Sequence, residues 1–284
     1  MTTKCFIFMI PLFSLAVPIR VQAQCSDAGV CVMGSHGHAG GYTIDANYVF
    51  GYSGKDDDLT FNTVELGGQI SIFEKSRIDV LLPWSGISGP LGTTSGLGDL
   101  IVVWNQEIPG LKESSLTASI GGRFATGDVN SGNLPQAYQP GLGTNDLLLG
   151  VMYETGSWDI GLGYQLSKAR SENTVTRLKR GDDFLARVGY GMSIGDAEVR
   201  LQALVIKRLD ESSVRDLTVT TGEVFVDVPD SDQLQVNILA TAFLPLSEAF
   251  GLQGFVAIPL LSREVNVDGL TRNITLSLGA QITL

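Results

Sequence analysis

Alternation of apolar and polar residues with a period of two is the feature that most constrains this chain. In the stretch WDIGLGYQL, residues 158–166, large apolar side chains occupy every second position, and Asp, Gly and Gln fill the positions between them. The stretch NITLSLGAQITL, residues 273–284, repeats the pattern. Successive side chains of a strand point to opposite faces, so this period predicts strands with one apolar face and one polar face.

The same template predicts twelve strands along the chain. Most of them have about 11 residues or more, which is long for a soluble sheet and suits a strand that is tilted across a bilayer. The fourth is the least regular, because Ile101 and Val103 share a face with Asp99 and Asn105. The predicted segments are 42–53, 59–73, 76–83, 97–107, 114–125, 144–154, 157–168, 182–193, 196–208, 233–244, 248–260 and 271–284.

The connections between these segments alternate between short and long. EKS, TGS, IGD and PLSE are tight turns, whereas WSGISGPLGTTSG, TGDVNSGNLPQAYQPGLG and residues 209–232 are long. This alternation is typical of barrels with short periplasmic turns and longer extracellular loops. The sequence therefore predicts an all-β fold, a transmembrane up-and-down antiparallel β-barrel of about 12 strands over residues 42–284. Its last strand pairs with its first, so a strand pattern can run to Leu284.

The N-terminal 23 residues have the features of a secretory signal peptide. Lys4 precedes an apolar run, and Val21-Gln22-Ala23 is a small-residue cleavage site. The alternative, a membrane anchor, is disfavoured because the run is short and prolines interrupt it. Export would place the protein in the bacterial outer membrane, with residues 24–41 as a periplasmic N-terminal segment.

The charge and cysteine content of the exported chain limit its partners. Removing Lys4 and Arg20 with the leader leaves 17 basic against 30 acidic residues, a formal net charge of −13. Nucleic acid is therefore not an expected partner, because its phosphates would be repelled. Cys25 and Cys31 remain, and we expect them to form a disulfide in the oxidising periplasm.

Charged residues recur on the polar faces of the predicted strands, which should line the lumen. One interpretation is that these charges satisfy one another across a narrow, water-containing interior, and the other is that they select a substrate. The candidate lumen-lining residues are Asp45, Glu65, Asp79, Asp99, Arg123, Glu154, Arg187, Glu198 and Arg200.

Three glycine-rich stretches carry a resemblance to a known family. They are GLGDLIVVW at 96–104, LTASIGGRFATGD at 116–128 and PGLGTNDLLLGVMYE at 140–154. The pattern resembles the phenol meta-pathway transporters of bacterial outer membranes and, more distantly, the hydrocarbon and fatty-acid channels. Ala125 stands where the family usually has proline. The resemblance implies passive uptake of small hydrophobic or aromatic molecules. It also implies that residues 24–41 plug the barrel, although a leader trailing into the periplasm is the alternative.

The sequence offers no set of residues for catalysis or metal binding. Barrel enzymes use Ser-His or Asp-His constellations, but the only histidines, His36 and His38, precede the first strand. Two ligands without a third do not define a metal site. We therefore expect no enzyme activity, no cofactor and no metal.

The function predicted from sequence is a channel whose partners are outer-membrane lipid, lipopolysaccharide, the barrel assembly machinery and a small hydrophobic solute. The alternative is a non-transport structural or surface-interaction barrel that acts through its loops at 126–143 and 209–232. A soluble secreted β-protein is disfavoured, because the apolar faces of so many long strands would need a second layer to cover them.

Overall fold

A computed structural model describes residues 41–54, 57–111 and 113–284. The expected signal peptide, the Cys25–Cys31 disulfide and the His36/His38 pair lie outside these residues. The described part is almost entirely β-structure, with two single-turn 3₁₀ helices at Ser131–Asn133 and Gln136–Tyr138. The strands are β1 Tyr42–Tyr52, β2 Thr60–Phe73, β3 Ser76–Gly89, β4 Gly92–Leu97, β5 Leu100–Glu107, β6 Ser114–Phe124, β7 Asp146–Thr155, β8 Trp158–Leu166, β9 Asp183–Ile194, β10 Ala197–Arg208, β11 Ser213–Arg215, β12 Phe225–Asp227, β13 Leu234–Pro245, β14 Phe250–Leu261 and β15 Ile274–Thr283.

Twelve of these strands form a closed antiparallel barrel. Each pairs with its neighbours in chain order, and β1 closes the ring by pairing with β15 from Thr43↔Thr283 to Tyr52↔Ile274. Past the last strand, the backbone N–H of Leu284 donates to the carbonyl oxygen of Tyr42 over 2.8 Å. The predicted twelve-stranded barrel is confirmed. Its strand boundaries lie within about three residues of those predicted, except at the third and fourth strands.

The exception corrects one sequence prediction. WSGISGPLGTTSG was predicted to be a long loop, but β3 continues to Gly89 and forms a hairpin with β4. The register runs from Trp84↔Leu97 to Gly89↔Gly92, so only Pro90 and Leu91 make the turn. The stretch is rich in Gly and Ser, which resembles a loop, yet Ile87 and Thr94, which lie directly opposite each other on the paired strands, are both buried. The hairpin projects beyond the pairing of β3 with β5.

The two ends of the barrel differ. At the end named here the turn end, the connections are 74–75, 108–113, 156–157, 195–196 and 246–249. At the opposite loop end, the connections are 53–59, the β3–β4 hairpin, 125–145, 167–182, 209–233 and 262–273. Connection 209–233 contains the small β11–β12 hairpin, which is separate from the barrel sheet.

The outer face of the barrel is apolar and exposed. Leu162 and Leu278 are 53% and 69% exposed, although an aqueous protein would bury such side chains. Aromatic side chains lie on this face near the strand ends, and Trp158 packs edge-on against Tyr190 with ring centroids 4.9 Å apart. No helix in the described residues has the length and apolarity needed to cross a bilayer.

Leu162→Arg tests the lipid-facing assignment at the middle of β8. We expect a loss of about 2 to 4 kcal/mol in folding free energy, because a guanidinium near the bilayer midplane is poorly solvated. Denaturant titration of folding into phospholipid vesicles measures it. As a control, spin labels at 162 and 163 should differ in accessibility to lipid-soluble oxygen. Equal accessibility would contradict the strand orientation.

Candidate functional site: the barrel interior

The inward-facing side chains are the candidate site, because they are the polar and charged groups that the barrel encloses. They fall into three levels along the barrel axis. A polar level lies toward the turn end, an apolar level lies near the middle, and an ionic network lies at the loop end. All nine residues singled out from the sequence are buried or half-buried.

On the β1–β3 side of the turn-end level, carboxylates are joined by amide side chains. The amide of Asn47 donates to Asp45 Oδ2 over 2.8 Å, and Gln253 donates to Asn47 Oδ1 over 2.7 Å. Asp79 accepts from Asn105 over 2.8 Å. This wall is therefore acidic, and its hydrogen bonds run around the inner circumference.

The β8–β10 side of this level is organised by Asp159, which sequence analysis did not single out. Its carboxylate is fully buried and pairs with Arg200, while Arg187 Nε lies 3.6 Å from its Oδ1. A side chain at Gly189, directly across the strand pair, would overlap the carboxylate. The glycine therefore creates the space that the ion cluster occupies. Two arginines face one aspartate, so this wall is more basic than the opposite one.

The other candidates are dispersed. Glu154 accepts a hydrogen bond from Ser115 over 3.0 Å, and Glu198 lies close enough to interact electrostatically with Arg200. Asp99, between β4 and β5, accepts from the backbone N–H groups of Gly127, Leu142 and Gly143. Asp99 is thus an anchor for the connection 125–145.

The apolar level is one contiguous cluster of inward-facing side chains. Val103 and Leu148 are fully buried, and the others are at most 5% exposed, so these side chains are packed against one another and are shielded from water. The cluster explains the irregular fourth segment, because Ile101 and Val103 face inward with Asn105. Its members come from β3, β5, β7, β9, β10 and β13, and they are Leu81, Ile101, Val103, Leu148, Leu185, Leu204, Ile206 and Leu239.

At the loop end, two arginines are held between aspartates. Arg180 Nη2 lies 2.6 Å from Asp183 Oδ2, and its Nε lies 3.0 Å from Asp268 Oδ2. Arg208 contacts the same two carboxylates, at 3.0 Å and 2.7 Å. Arg180 also approaches Asp146 on β7 at 3.6 Å. The network therefore ties the connections 167–182 and 262–273 to three barrel strands.

Charges also set the protonation of Asp268, which lies in the connection 262–273. Burial alone raises the pKa of this carboxyl, but the positive charges of Arg208, Arg180 and Arg263 more than offset burial and hold the pKa well below its ordinary value. Asp268 is therefore ionised throughout the neutral range. Arg123, another candidate from sequence, interacts with Asp146 and Asp268 from the end of β6.

The connection 125–145 is folded against the barrel rim by an apolar contact. Tyr138 packs with Leu59 from the connection 53–59, Phe61 from β2 and Ile87 from β3, and its hydroxyl accepts a hydrogen bond from the backbone N–H of Leu91 over 3.0 Å. The loop therefore reaches the β3–β4 hairpin.

The long loops also hold one another. The fully buried Gln136 donates to Gly141 and accepts from Ser171 in the connection 167–182 over 2.6 Å. A Cβ on Gly269, which has φ +70°, would lie 2.5 Å from the carbonyl oxygen of Ala137. Connections 125–145 and 262–273 leave the ring on diametrically opposite sides, so this close approach shows that the loops cross the mouth of the barrel.

Sequence analysis missed most of the loop-end network. Asp146, Asp183 and Arg208 had a usable signal, because they are charged residues on the polar faces of strand ends. Arg180 and Asp268 had no such signal in the sequence, because a loop sequence does not reveal that a charged side chain turns inward. The apolar level was visible only as the irregularity at Ile101 and Val103.

Comparison with known proteins supports the architecture. The fold is similar to that of an outer membrane channel from Pseudomonas putida F1, with a TM-score of 0.63, 17% identity, and coverage of 88% of this chain and 97% of that one. The translocator domain of the autotransporter NalP from Neisseria meningitidis matches with a TM-score of 0.50, 10% identity, and coverage of 89% and 91%. No protein-family model and no curated protein matches the sequence. The similarity establishes the fold.

Asp268→Asn should lower stability at neutral pH. A carboxylate with a depressed pKa contributes stability that is complete above its unfolded pKa of about 3.9 and is lost progressively as pH falls through the folded value. The difference in thermal unfolding between wild type and Asp268→Asn in detergent should therefore be constant from pH 8 to about pH 5 and shrink below about pH 4. Asp216→Asn, in the exposed part of connection 209–233, is the matched control. A difference that grows in acid would contradict the assignment.

Proposed function

We propose that this protein is an outer-membrane channel for the passive passage of small hydrophobic or aromatic molecules. The observation that carries the proposal is the apolar level inside the barrel. An interior that only had to be filled with water would be polar throughout, as is usual for porins. Here eight inward-facing apolar side chains form one contiguous cluster inside the barrel. Such a layer repels ions and water and accepts apolar solutes.

In this proposal two barriers act in series. The ionic network and the crossed loops would restrict the loop end, and the apolar cluster would restrict the middle. Passage then requires the loops to move and the apolar side chains to part around a solute. Leu148, Leu204 and Leu239 would contact a ring or alkyl chain directly, because they present side-chain carbon atoms to the interior.

Orientation and partners follow from the same proposal. The loop end would face the cell exterior and the turn end the periplasm, as in other barrels of this class. The exposed apolar outer face would contact outer-membrane lipid, and the loop rim would contact lipopolysaccharide. Insertion would need the barrel assembly machinery. The solute class agrees with the resemblance of residues 96–104, 116–128 and 140–154 to phenol meta-pathway transporters.

One observation favours a second candidate, a non-transport surface-interaction barrel. The β11–β12 hairpin carries exposed apolar side chains away from the barrel wall, with Leu217 67% and Val226 43% exposed. A partner could bind there without any solute crossing. Transport measurements on the hairpin-deleted protein separate the two functions, because only an interaction role depends on the hairpin.

Leu148→Ala and Leu149→Ala form a matched pair for the channel proposal. Leu148 faces the interior and is fully buried, whereas the adjacent Leu149 faces outward. In proteoliposomes we expect Leu148→Ala to raise the entry rate of phenol several-fold, because truncation thins the apolar layer, and Leu149→Ala to leave it unchanged. Entry of phenol no faster than into protein-free liposomes, or equal effects of both variants, would refute the proposal. Heat-modifiable gel migration checks that each variant folds.

Orientation is tested with protease added to intact cells. We expect cleavage within residues 216–224, the exposed tip of the β11–β12 hairpin, and no cleavage at the 156–157 turn. Residues 125–145 should be cut more slowly than the tip, because Gln136 and Tyr138 are buried among the other loops. Cleavage only after the outer membrane is permeabilised would show the reverse orientation.

A further inference from the structure

Two carboxylates inside the barrel have no basic partner among the residues that the structure describes. Asp45 on β1 and Glu65 on β2 lie on the inward-facing side of their strands, and they are 4% and 9% exposed. Other buried carboxylates of the described residues, such as Asp159, Asp183 and Asp268, each form ion pairs with arginines, whereas no ion pair involves Asp45 or Glu65.

The Asp45 carboxylate lies across the neighbouring strand. Its cross-strand partner is Gly67, and a Cβ at that position would overlap both carboxylate oxygens. A glycine at this place therefore lets the carboxylate lean over β2 toward β3. Its hydrogen bond comes from Asn47, a neutral amide that supplies no charge.

Glu65 is two residue pairs further along the same two strands, opposite Asn47. Its Oε2 atom is buried without any hydrogen-bond partner. The charge that acts on it is that of Asp45, and the third negative charge of Asp79 acts on Asp45. Asp79 differs from the pair because Arg77 Nε lies 3.3 Å from its Oδ1.

We propose that Asp45 and Glu65 form a binding site for a monovalent cation inside the barrel. Two buried negative charges with no positive partner are costly, and a bound cation removes that cost. No group of three or more candidate metal-ligating residues converges in the described part of the chain, so the pair does not form a cage for a divalent metal. The ligand is an alkali cation or the ammonium group of a small solute. The site exists whether or not solutes cross the barrel.

The alternative is that the pair is discharged by a proton held on one carboxyl. In that case added cations have no effect, and a protonated-carboxyl C=O band is present in the infrared spectrum of the wild type at pH 7 and absent from that of Glu65→Gln. Cation binding predicts no such band in potassium chloride.

Thermal unfolding in detergent tests the site without any need for conduction. At pH 7 and constant ionic strength, replacing N-methylglucamine chloride with potassium chloride should raise the unfolding temperature of the wild type. Glu65→Gln should lose this shift, and in N-methylglucamine it should unfold at a higher temperature than the wild type, because an unpaired buried charge is gone. Glu198→Gln, the same change beside Arg200, is the matched control and should keep the potassium shift.

A parallel titration with methylammonium chloride distinguishes the two sources of the cation. Stabilisation by potassium identifies an ion site, and stabilisation by methylammonium alone identifies a site for the ammonium group of a solute. Either result must disappear in Glu65→Gln and in Asp45→Asn. A wild type that responds to neither cation, a response that survives in both variants, or a Glu65-dependent carboxyl band overturns the proposal.

Discussion

Hydrogen bonding between β1 and β15 is the constraint on which the rest of the structure depends. Ten residue pairs join the first strand to the last, and no barrel strand is left with an unpaired edge. Backbone amides that are all paired can lie beneath an apolar surface, because none needs water. The outer side chains are then free to be Leu, Ile, Val and aromatic residues, and the polar residues are forced inward.

Closure also fixes the space that the inner side chains must fill. Twelve strands enclose a lumen too wide for glycine alone and too narrow for large residues on every strand. Small and large residues therefore alternate across strand pairs, as where Gly67 accommodates Asp45 and Gly189 accommodates Asp159. A charge placed beside a glycine reaches further toward the axis, so the glycine positions determine where charges meet.

Much of the fold could be predicted from the sequence, because a period of two and alternating connection lengths are local signals. The interior could be predicted only in part. Asp45, Glu65 and Arg200 were recognisable from their place on polar faces, but local sequence does not give the strand register that places Asp45 near Glu65 and Arg200 beside Asp159. The roles of Arg180, Asp268 and Tyr138 arise because the loops fold back over the mouth of the barrel. Local sequence does not indicate that a loop will fold in this way. The β3–β4 hairpin was missed because glycine and serine are as common in these strands as in loops.

The two closures of the barrel differ physically, and the difference bears on what could open them. The loop-end network is made of fully buried ion pairs, which cost desolvation to form and are therefore better at fixing one loop arrangement than at adding stability. When the loops open, water that enters the network hydrates the separated charges. This hydration offsets part of the ion-pair energy that opening removes. The apolar level has no such compensation, because water gains nothing by entering it. In the channel that we propose, an apolar solute would lower the barrier at that level and a hydrated ion would not. A molecule that enters from the loop end would therefore meet the ionic network first, which water can loosen. It would then meet the apolar level, which only an apolar molecule can loosen.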